Sequence, residues 1–470
     1  MQKYLLTRFW ILLLTLFVVS LFSFALSKMA PGDPVEQYED VPIYGSKAQR
    51  IRSYKKTAQK LGVDRPLFYF QFSSAAYPDT LYRVTNYYER ETIKRLIARY
   101  GNWELIQDYW HKIHEMEGKI EKLPDSLDRN AVIKLRQNTT DLFVFHKPQK
   151  IDKAFKNINA VLDNKALYSA IYKNQKNLAD AYQKVVSEPS NYKHYLPKFA
   201  WHGLDNQYHI WFSNFFTGHF GYSYQDNQKI ETKIWSHLRW TLLLNILALL
   251  IVFSISIPIG VYSAVYQDSW LDRWGSLGLF MLYSLPSFWI ATLLIIFFTT
   301  PEYGMDWFPT YGLGDVSKND SFWDIFWMRA YHLVLPVFCM SYASLAFVSR
   351  QMRGGMIEVF QQDYIRTARA KGLLEKLVIW KHTFRNALFP IITLVASIFP
   401  GLLAGSLVIE VIFSIPGMGK LTIDAIYARD WPVVYTILMF SALMTMIGIL
   451  IADLLYAWAD PRVSFAKKEK

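Results

Sequence analysis

Six uncharged apolar runs constrain this chain more than any other feature of its sequence. Each is bounded by charged residues, and each has about the 20 residues that a helix needs to cross the hydrocarbon core of a bilayer. The runs cover residues 9–27, 240–267, 274–301, 330–349, 386–409 and 431–452. The sequence therefore predicts an all-α integral membrane protein with six transmembrane helices.

The first run, residues 9–27, has a rival interpretation as a cleaved signal peptide, with Lys3 and Arg8 at its basic start. The apolar core of a signal peptide is usually about 7 to 15 residues long, which is shorter than this run. The small-residue pattern that cleavage requires is also poor at Ala25 and Ser27. We therefore expect residues 1–27 to remain as an N-terminal transmembrane helix, with the N-terminus in the cytoplasm.

Residues 28–239 contain no apolar run that is long enough to span a membrane. This region explains why 52% of the residues are apolar although the mean hydropathy is barely positive. Two stripes of apolar residues recur in it at steps of three and four, which is the period of an amphipathic helix. They are Ile106, Tyr109, Trp110, Ile113, Met116, Ile120 and Leu123, and then Phe155, Ile158, Val161, Leu162, Leu167, Ile171, Leu178, Tyr182 and Val185. We expect these stripes to pack together as a small helical bundle.

The loops between the runs differ in charge, which predicts their sides of the membrane. The loop at 301–329 has five acidic residues against two basic ones, whereas the loop at 350–385 has eight Lys and Arg against three acids. Short loops rich in Lys and Arg stay in the cytoplasm, while long loops translocate largely regardless of charge. We therefore expect loop 350–385 and both termini to be cytoplasmic, and region 28–239 to be extracytoplasmic.

The most informative stretch, 363–390, lies inside that basic loop and at the start of the following run. Its composition favours a short helix, a break at Gly372 and a second helix. Arg366-Thr367-Ala368-Arg369-Ala370-Lys371-Gly372-Leu373 resembles the cytoplasmic coupling loop of permease subunits of binding-protein-dependent ABC importers. The likeness is closest to the dipeptide/oligopeptide branch, in which arginine replaces the glutamate of the general family motif at the position of Arg366.

Other segments carry the same resemblance. They are 31–34 (P-G-D-P), 61–67 (L-G-V-D-R-P-L), 218–223 (G-H-F-G-Y-S), 307–309 (W-F-P), 410–419 (E-V-I-F-S-I-P-G-M-G), 429–432 (R-D-W-P) and 453–462 (D-L-L-Y-A-W-A-D-P-R). In the family, aspartate usually stands where this chain has His219. The likeness covers the first seventy or so residues and everything from about Tyr208 onward, so residues 71–206 look like an insertion into the family's first extracytoplasmic loop.

The resemblance implies a pore-forming permease subunit of an ATP-driven importer with the type I permease fold. Residues 240–470 would form its five-helix core, which translocates peptides or a similar small solute across a bacterial inner membrane. Its implied partners are a second homologous permease subunit, two cytoplasmic ATPase subunits, an extracytoplasmic solute-binding protein and membrane lipid. The residues that would contact an ATPase subunit are Asp363, Tyr364, Arg366, Thr367, Ala368, Arg369, Ala370, Lys371 and Gly372.

No catalytic constellation stands out, and we expect no enzymatic activity, cofactor or metal. The segment 417–420 (G-M-G-K) fails as a phosphate loop because Leu421 replaces the required Ser or Thr and Ser414 the first glycine. His111 and His114 lack the order of a metalloprotease motif, and the lone Cys339 forms no internal disulfide. The net charge of +12 comes without a nucleic-acid-binding motif, so we expect no nucleic-acid partner.

Two alternatives remain open from the residues alone. A stand-alone secondary transporter generally needs carboxylates near the middle of the membrane, whereas Glu410 and Asp453 lie at the edges of their runs. A membrane-anchored interaction protein would use the insertion at 71–206 for its function and the spans as an anchor. The substrate and the residues that line a pore are not readable from the sequence.

Overall fold

The computed structural model describes residues 2–29, 33, 35–36, 47–123, 128–162, 165–302, 304–398, 401 and 405–459. Within them the chain forms two compact units. The span unit consists of Met1–Ala30 and His219–Lys470, and the insertion unit consists of Pro31–Gly218. The predicted motifs at 31–34 and 453–462 lie partly outside the described residues, and the C-terminal tail at 463–470 lies wholly outside them.

The described chain is mostly helical. Its first helices are α1 (Gln2–Met29), α2 (Lys47–Lys60), α3 (Tyr87–Tyr100), α4 (Trp103–Glu121), α5 (Arg129–Asp141), α6 (Pro148–Leu162), α7 (Lys165–Ser187) and α8 (Gln207–Phe216). Then follow α9 (Ile230–Val265), α10 (Trp270–Ser284), α11 (Ser287–Thr299), α12 (Phe322–Phe360), α13 (Asp363–Ala370), α14 (Glu375–Leu377), α15 (Phe384–Ala387), α16 (Phe389–Ile398), α17 (Leu407–Ile412), α18 (Met418–Tyr427) and α19 (Trp431–Ala459). The strands are β1 (Phe70–Ser74) and β2 (Pro197–Trp201).

Four of the described helices, α1, α9, α12 and α19, are long and apolar enough to cross a membrane. The third predicted run instead forms α10 and α11, which meet at an angle of 95° and are a fifth candidate if the pair is one span. The fifth predicted run contains α16, and residues 399–400 and 402–404 within it lie outside the described part of the chain. The described residues thus supply four or five candidate spans, and the count of six stays a prediction.

The bend between α10 and α11 occurs at Pro286, inside the third predicted run. Proline cannot donate a backbone hydrogen bond, so a carbonyl near it needs another partner. The hydroxyl of Tyr342 in α12 donates a 2.7 Å hydrogen bond to the carbonyl of Leu285 at this break. By contrast, α9 and α12 continue through Pro258 and Pro336, and Pro400 lies outside the described residues.

The core of the span unit is built on α9 and α12, which pack against each other along their lengths. They approach closely at Gly260, where an added Cβ atom would lie 2.6 Å from both Met352 Cβ and Ser349 O. Small residues permit such close contacts between membrane helices. In the same unit α1 packs on α19, and Arg8 forms an ion pair of 3.2 Å with Asp453.

The insertion unit contains a helical bundle formed by α3 to α7 around one apolar core. The first predicted stripe is confirmed as α4, whose buried residues are Ile106, Tyr109, Ile113, Met116 and Ile120. The second stripe is divided between α6 and α7, which pack against each other.

A two-stranded sheet joins the ends of the insertion, and it adds to the predicted helical fold a feature that the sequence analysis did not include. Strand β1 pairs antiparallel with β2, with Phe70 opposite Trp201 and Phe72 opposite Phe199. These aromatic residues alternate along each strand, as side chains on one face of a sheet do. The strands lie at the two ends of the predicted insertion, 71–206, so their pairing brings those ends together.

Candidate functional site

Helix α13 is the helix predicted for coupling, and it has two distinct faces. Asp363 lies in its first turn, where a negative charge is favourable to the helix dipole. Ile365 and Ala368 are its buried residues, and their spacing of three places them on one face. They form a small apolar cluster with Val378, against which Val359 and Phe360 at the end of α12 pack. The inner face of α13 is thus fixed to the chain itself.

The glycine break predicted after this helix is confirmed at Gly372, whose φ is +76°. The Gly372 amide donates to the Arg369 carbonyl at 2.9 Å, and the Leu373 amide donates to the Ala368 carbonyl at 3.4 Å. This pair of bonds is the Schellman motif, which favours glycine because other residues are strained at a positive φ. The turn fixes the direction in which the chain leaves α13 toward α14.

Two polar contacts hold α13 against the second part of the loop. Arg369 donates two hydrogen bonds to Glu375, at 2.6 and 3.2 Å, and its guanidinium lies 5.3 Å from the centre of the Phe360 ring. The side-chain amide of Asn386 donates a 3.1 Å hydrogen bond to the Tyr364 hydroxyl. The position of Arg369 is therefore set within the chain.

The structure brings the nine predicted contact residues together on α13 and its C-terminal turn. Of these, Ala368 points inward, because it is buried against Ile365 and Val378. The others are exposed: Asp363, Tyr364, Arg366, Thr367, Arg369, Ala370, Lys371 and Gly372. The outward face thus combines a small residue, Ala370, with basic side chains around it.

The second part of the loop contains a feature that sequence reasoning missed. Between α14 and α15 the helix widens to a π-helical segment over Val378–Thr383. Such segments are rare and occur often at functional sites. Val378 and Thr383 are its buried residues, and Val378 is the one that packs on α13. No sequence signal distinguishes this segment from ordinary helix.

A second constellation surrounds Glu410, which is 1% exposed. Its carboxylate accepts hydrogen bonds from the Thr241 hydroxyl at 2.9 Å and from the amides of Ser406, Gly419 and Lys420 at 3.3, 2.7 and 3.2 Å. The last two amides lie in the first turn of α18, where free amides and the helix dipole favour an anion. The residues that resemble part of a phosphate loop therefore bind a carboxylate of the same chain.

Three glycines make room for this carboxylate. An added Cβ atom would clash with Glu410 Cδ at Gly417 and would lie 2.8 Å from Glu410 Oε1 at Gly405. At Gly419 it would lie 2.9 Å from Glu410 Oε2 and 2.6 Å from Leu407 Cα. These close approaches give a physical reason for the glycines in the 410–419 segment.

A third constellation joins two other segments singled out in the sequence. Asp430, which is 1% exposed, accepts a hydrogen bond from the Ser223 hydroxyl and one of 2.9 Å from the Tyr224 amide. Lys233 of α9 lies 4.0 Å from Asp430 and 2.9 Å from Asp226. Burial alone would raise the pKa of Asp226, but hydrogen bonds from Lys233 and the Gln228 amide lower it below its usual value.

The start of α10 carries an ion pair that the sequence did not reveal. Asp272, which is 5% exposed, accepts two hydrogen bonds from Arg353 of α12, at 3.1 and 2.9 Å. Ser263 and the Asp268 amide also donate to it. Such a two-point pair fixes geometry as well as charge. It ties the α9–α10 turn to the part of α12 that leads to α13.

The described residues hold no group of three or more His, Cys, Asp or Glu arranged to bind a metal ion. His114, one of the two histidines considered for a metal, lies 3.4 Å from Glu89, and its ring centre lies 4.5 Å from that of Phe143. It therefore has partners within the helical bundle of the insertion unit.

Comparison with known proteins shows which protein family this chain resembles. A family model described as the inner membrane component of binding-protein-dependent transport systems matches residues 256–465. The oligopeptide transport system permease protein AppB of Bacillus subtilis is 38% identical over 260 residues, which are 55% of this chain and 80% of that protein.

Two other relatives extend the comparison. The dipeptide transport system permease protein DppB of Lactococcus lactis subsp. cremoris is 37% identical over 268 residues, 56% of this chain and 82% of that protein. The peptidoglycan transport system permease protein YejB of Agrobacterium fabrum is 35% identical over 266 residues, 54% of this chain and 71% of that protein. The chain therefore belongs to the family of inner-membrane permease proteins of peptide ABC importers.

Proposed function

We propose that this chain is the pore-forming subunit of an ATP-driven importer and that α13, with its turn at Gly372, is the part that an ATPase subunit grips. The observation that carries this proposal is the division of α13 into two faces. Ile365 and Ala368 bind it to the end of α12, while Ala370 and Lys371 face outward. A helix that is fixed on one side and exposed on the other can transmit a push from a soluble partner.

The proposed orientation follows from loop charge. With six spans, an N-terminus in the cytoplasm places the basic loop 350–385 and the C-terminus there too, and it places the insertion at 71–206 outside. The excess of eight Lys and Arg over three acids in that loop supports this arrangement. An ATPase in the cytoplasm would then meet α13 directly.

The proposed assembly contains two permeases, two ATPase subunits and a solute-binding protein. The family is defined by binding-protein-dependent transport, which implies that separate subunits bind ATP and deliver the solute. The relatives are named for oligopeptide, dipeptide and peptidoglycan transport, so we propose peptides or a similar small solute as the cargo.

The route from α13 to the spans begins at α12. Only Gln361 and Gln362 separate the two helices, and Val359 and Phe360 pack on the α13 cluster. A displacement of α13 would therefore move the end of α12 as a rigid body. Arg353, about two turns further back along α12, would carry Asp272 and the start of α10 with it.

Helix α9 would receive the motion from α12 at Gly260, where the two helices touch. Nearer the start of α9, the Thr241 hydroxyl donates a hydrogen bond to Glu410 and accepts one of 2.8 Å from the Met418 amide. Movement of α9 would thus reach α17 and α18 through buried hydrogen bonds. We propose this series of contacts as the link between the ATPase subunits and the pore.

Purification of the tagged chain from its native membrane in a mild detergent tests the assembly. Mass spectrometry should find a second permease and an ATPase subunit with the wild-type chain. Ala370→Trp should abolish recovery of the ATPase while the chain stays folded, because the bulky ring covers the outward face. Ala98→Trp, at an exposed alanine of α3, is the matched control and should leave recovery unchanged.

Two results would contradict the proposal. Recovery of the folded wild-type chain alone would favour the stand-alone transporter. Undiminished recovery of the ATPase with Ala370→Trp would place the contact elsewhere.

A further inference from the structure

The insertion unit contains a polar cavity of about 540 Å³ to which the transport function assigns no role. Pockets of roughly 300 to 1,000 Å³ are the usual size for small-molecule sites. One wall consists of residues from α2 and from segment 61–67, which resembles a loop of the family. The other wall consists of residues from the predicted insertion, 71–206. The charged and histidine side chains in its lining are Lys55, Asp64, Arg65, Arg83, His202 and Asp205.

Hydrogen bonds beside the cavity hold its surrounding segments together. The side-chain amide of Gln207 donates to the Arg65 carbonyl at 2.7 Å, and the His202 amide donates to the Tyr69 carbonyl at 2.8 Å. On the other side, the Tyr54 hydroxyl of α2 lies 3.3 Å from the carbonyl of Thr85, which also lines the cavity. The cavity is therefore part of the folded insertion unit.

The charges of the lining are only partly satisfied within the chain. Arg65 and Asp205 neutralise each other in an ion pair of 2.9 Å. Lys55 and Arg83 are exposed side chains that form no ion pair among the described residues, and the Arg83 guanidinium lies 6.0 Å from the centre of the Tyr82 ring. Asp64 Oδ1 is buried and lacks a hydrogen-bond donor within the described part of the chain. A buried polar atom without a partner is uncommon in folded proteins, and a ligand in this cavity is one source of the donor.

These unmatched groups restrict the ligand. A simple anion would pair with Lys55 and Arg83 but would leave Asp64 without a donor. A simple cation would pair with Asp64 but would be repelled by the two basic side chains. A molecule with both an ammonium group and a carboxylate satisfies all three residues.

We propose that this cavity binds a small zwitterion, either a free amino acid or a short peptide with both termini unblocked. Asp64 would accept hydrogen bonds from the ammonium group, and Arg83 and Lys55 would donate to the carboxylate. Arg suits a carboxylate because its guanidinium can donate two parallel hydrogen bonds. The cavity would thus give the insertion a ligand site of its own outside the predicted spans.

Isothermal titration calorimetry of the full-length chain in lipid nanodiscs tests this proposal without ATP or an ATPase. The probes are alanine and the dipeptide Ala-Ala, which distinguish an amino acid from a peptide as the preferred ligand. N-acetyl-Ala-Ala and Ala-Ala-amide each lack one charged terminus, and inorganic phosphate serves as a simple anion. We expect alanine or Ala-Ala to bind, and each blocked dipeptide to bind at least about tenfold more weakly than Ala-Ala if the peptide is preferred.

Variants locate the binding in this cavity rather than in a pore. Asp64→Asn and Arg83→Gln should each weaken binding of the preferred zwitterion by about tenfold or more. Lys56→Gln is the matched control, because Lys56 is an exposed neighbour on α2 that does not line the cavity, and it should change the Kd by less than about twofold. Equal thermal unfolding of the variants shows that they fold.

Three outcomes would overturn the proposal. They are no binding of alanine or Ala-Ala to the wild-type chain, binding that both variants leave unchanged, and displacement of the bound zwitterion by phosphate at equal concentration. None of these measurements depends on ATPase docking, so they are separate from the tests of the transport function.

Discussion

Arg369 and Glu375 form a two-point ion pair across the Gly372 turn, with N–O distances of 2.6 and 3.2 Å. The two side chains are 45% and 56% exposed, so water screens the pair, and its loss should change the free energy of unfolding by less than about 1 kcal/mol. Its main effect would be to fix the direction in which the chain leaves α13 at the Gly372 turn.

Exchange of these two charges distinguishes a contact within the chain from one with a partner. We expect Arg369→Glu and Glu375→Arg each to lower ATP hydrolysis coupled to transport in reconstituted vesicles, because each brings like charges together. The double variant should recover most of that activity. If the double variant is as impaired as Arg369→Glu alone, the main partner of Arg369 is another subunit.

Substitution of Glu410 should destabilise the span unit. Glu410→Gln replaces an acceptor oxygen with an NH₂ group that faces hydrogen-bond donors, so we expect a loss of about 1–3 kcal/mol for each donor left unpaired. The measurement is thermal unfolding of the chain in detergent. Glu302→Gln, at an exposed carboxylate, is the control and should shift the midpoint little. Equal midpoints for the two variants would show that the Glu410 network contributes no stability.

The close contact of α9 with α12 at Gly260 predicts that two glycines respond differently to substitution by alanine. Gly260→Ala places a methyl group 2.6 Å from Met352 Cβ and Ser349 O, so it should lower stability by about 1–3 kcal/mol. Gly354→Ala, in α12, meets nothing within 4 Å and should be neutral or stabilising by up to about 1 kcal/mol. Unfolding midpoints in detergent test both. A stable, active Gly260→Ala variant would argue against close packing at this crossing.

The lowered pKa of Asp226 predicts a pH dependence. A carboxylate whose pKa is lower in the folded state stabilises that state above its unfolded pKa, which is about 3.9 for Asp, and the contribution fades as the pH falls through the folded value. The difference in stability between the wild-type chain and Asp226→Asn should therefore be constant from about pH 7 to 5 and shrink below about pH 4. A difference that is independent of pH down to about pH 3 would show that the Asp226–Lys233 pair is not formed.

Much of the fold was predictable from local patterns. The uncharged apolar runs predicted α1, α9, α12 and α19. The spacing of the apolar residues Ile106, Tyr109 and Ile113 by three and four positions predicted α4. The Gly372 break was predictable because a helix end with a positive φ favours glycine. Each of these signals lies within a short stretch of sequence.

The contacts between distant segments were not predictable. Ser223 and Asp430 bind each other across more than two hundred residues, and Thr241 reaches Glu410 from a different helix. Nor did the sequence show that Ala368 points inward, because helical spacing alone does not say which face meets α12. The pairing of β1 with β2 was missed because each strand is only five residues long.

The central claim, that an ATPase subunit contacts the outward face of α13, is tested most directly by chemical crosslinking in native membranes. Cys339→Ala removes the buried native thiol, and Ala370→Cys, Ala368→Cys and Ser317→Cys each add one cysteine. A reagent that joins thiols to amines, followed by mass spectrometry, identifies the neighbour. We predict a crosslink to an ATPase subunit from Ala370→Cys and none from buried Ala368→Cys or from Ser317→Cys in the acidic loop. No ATPase crosslink from Ala370→Cys, in membranes where the transporter is active, would contradict the account.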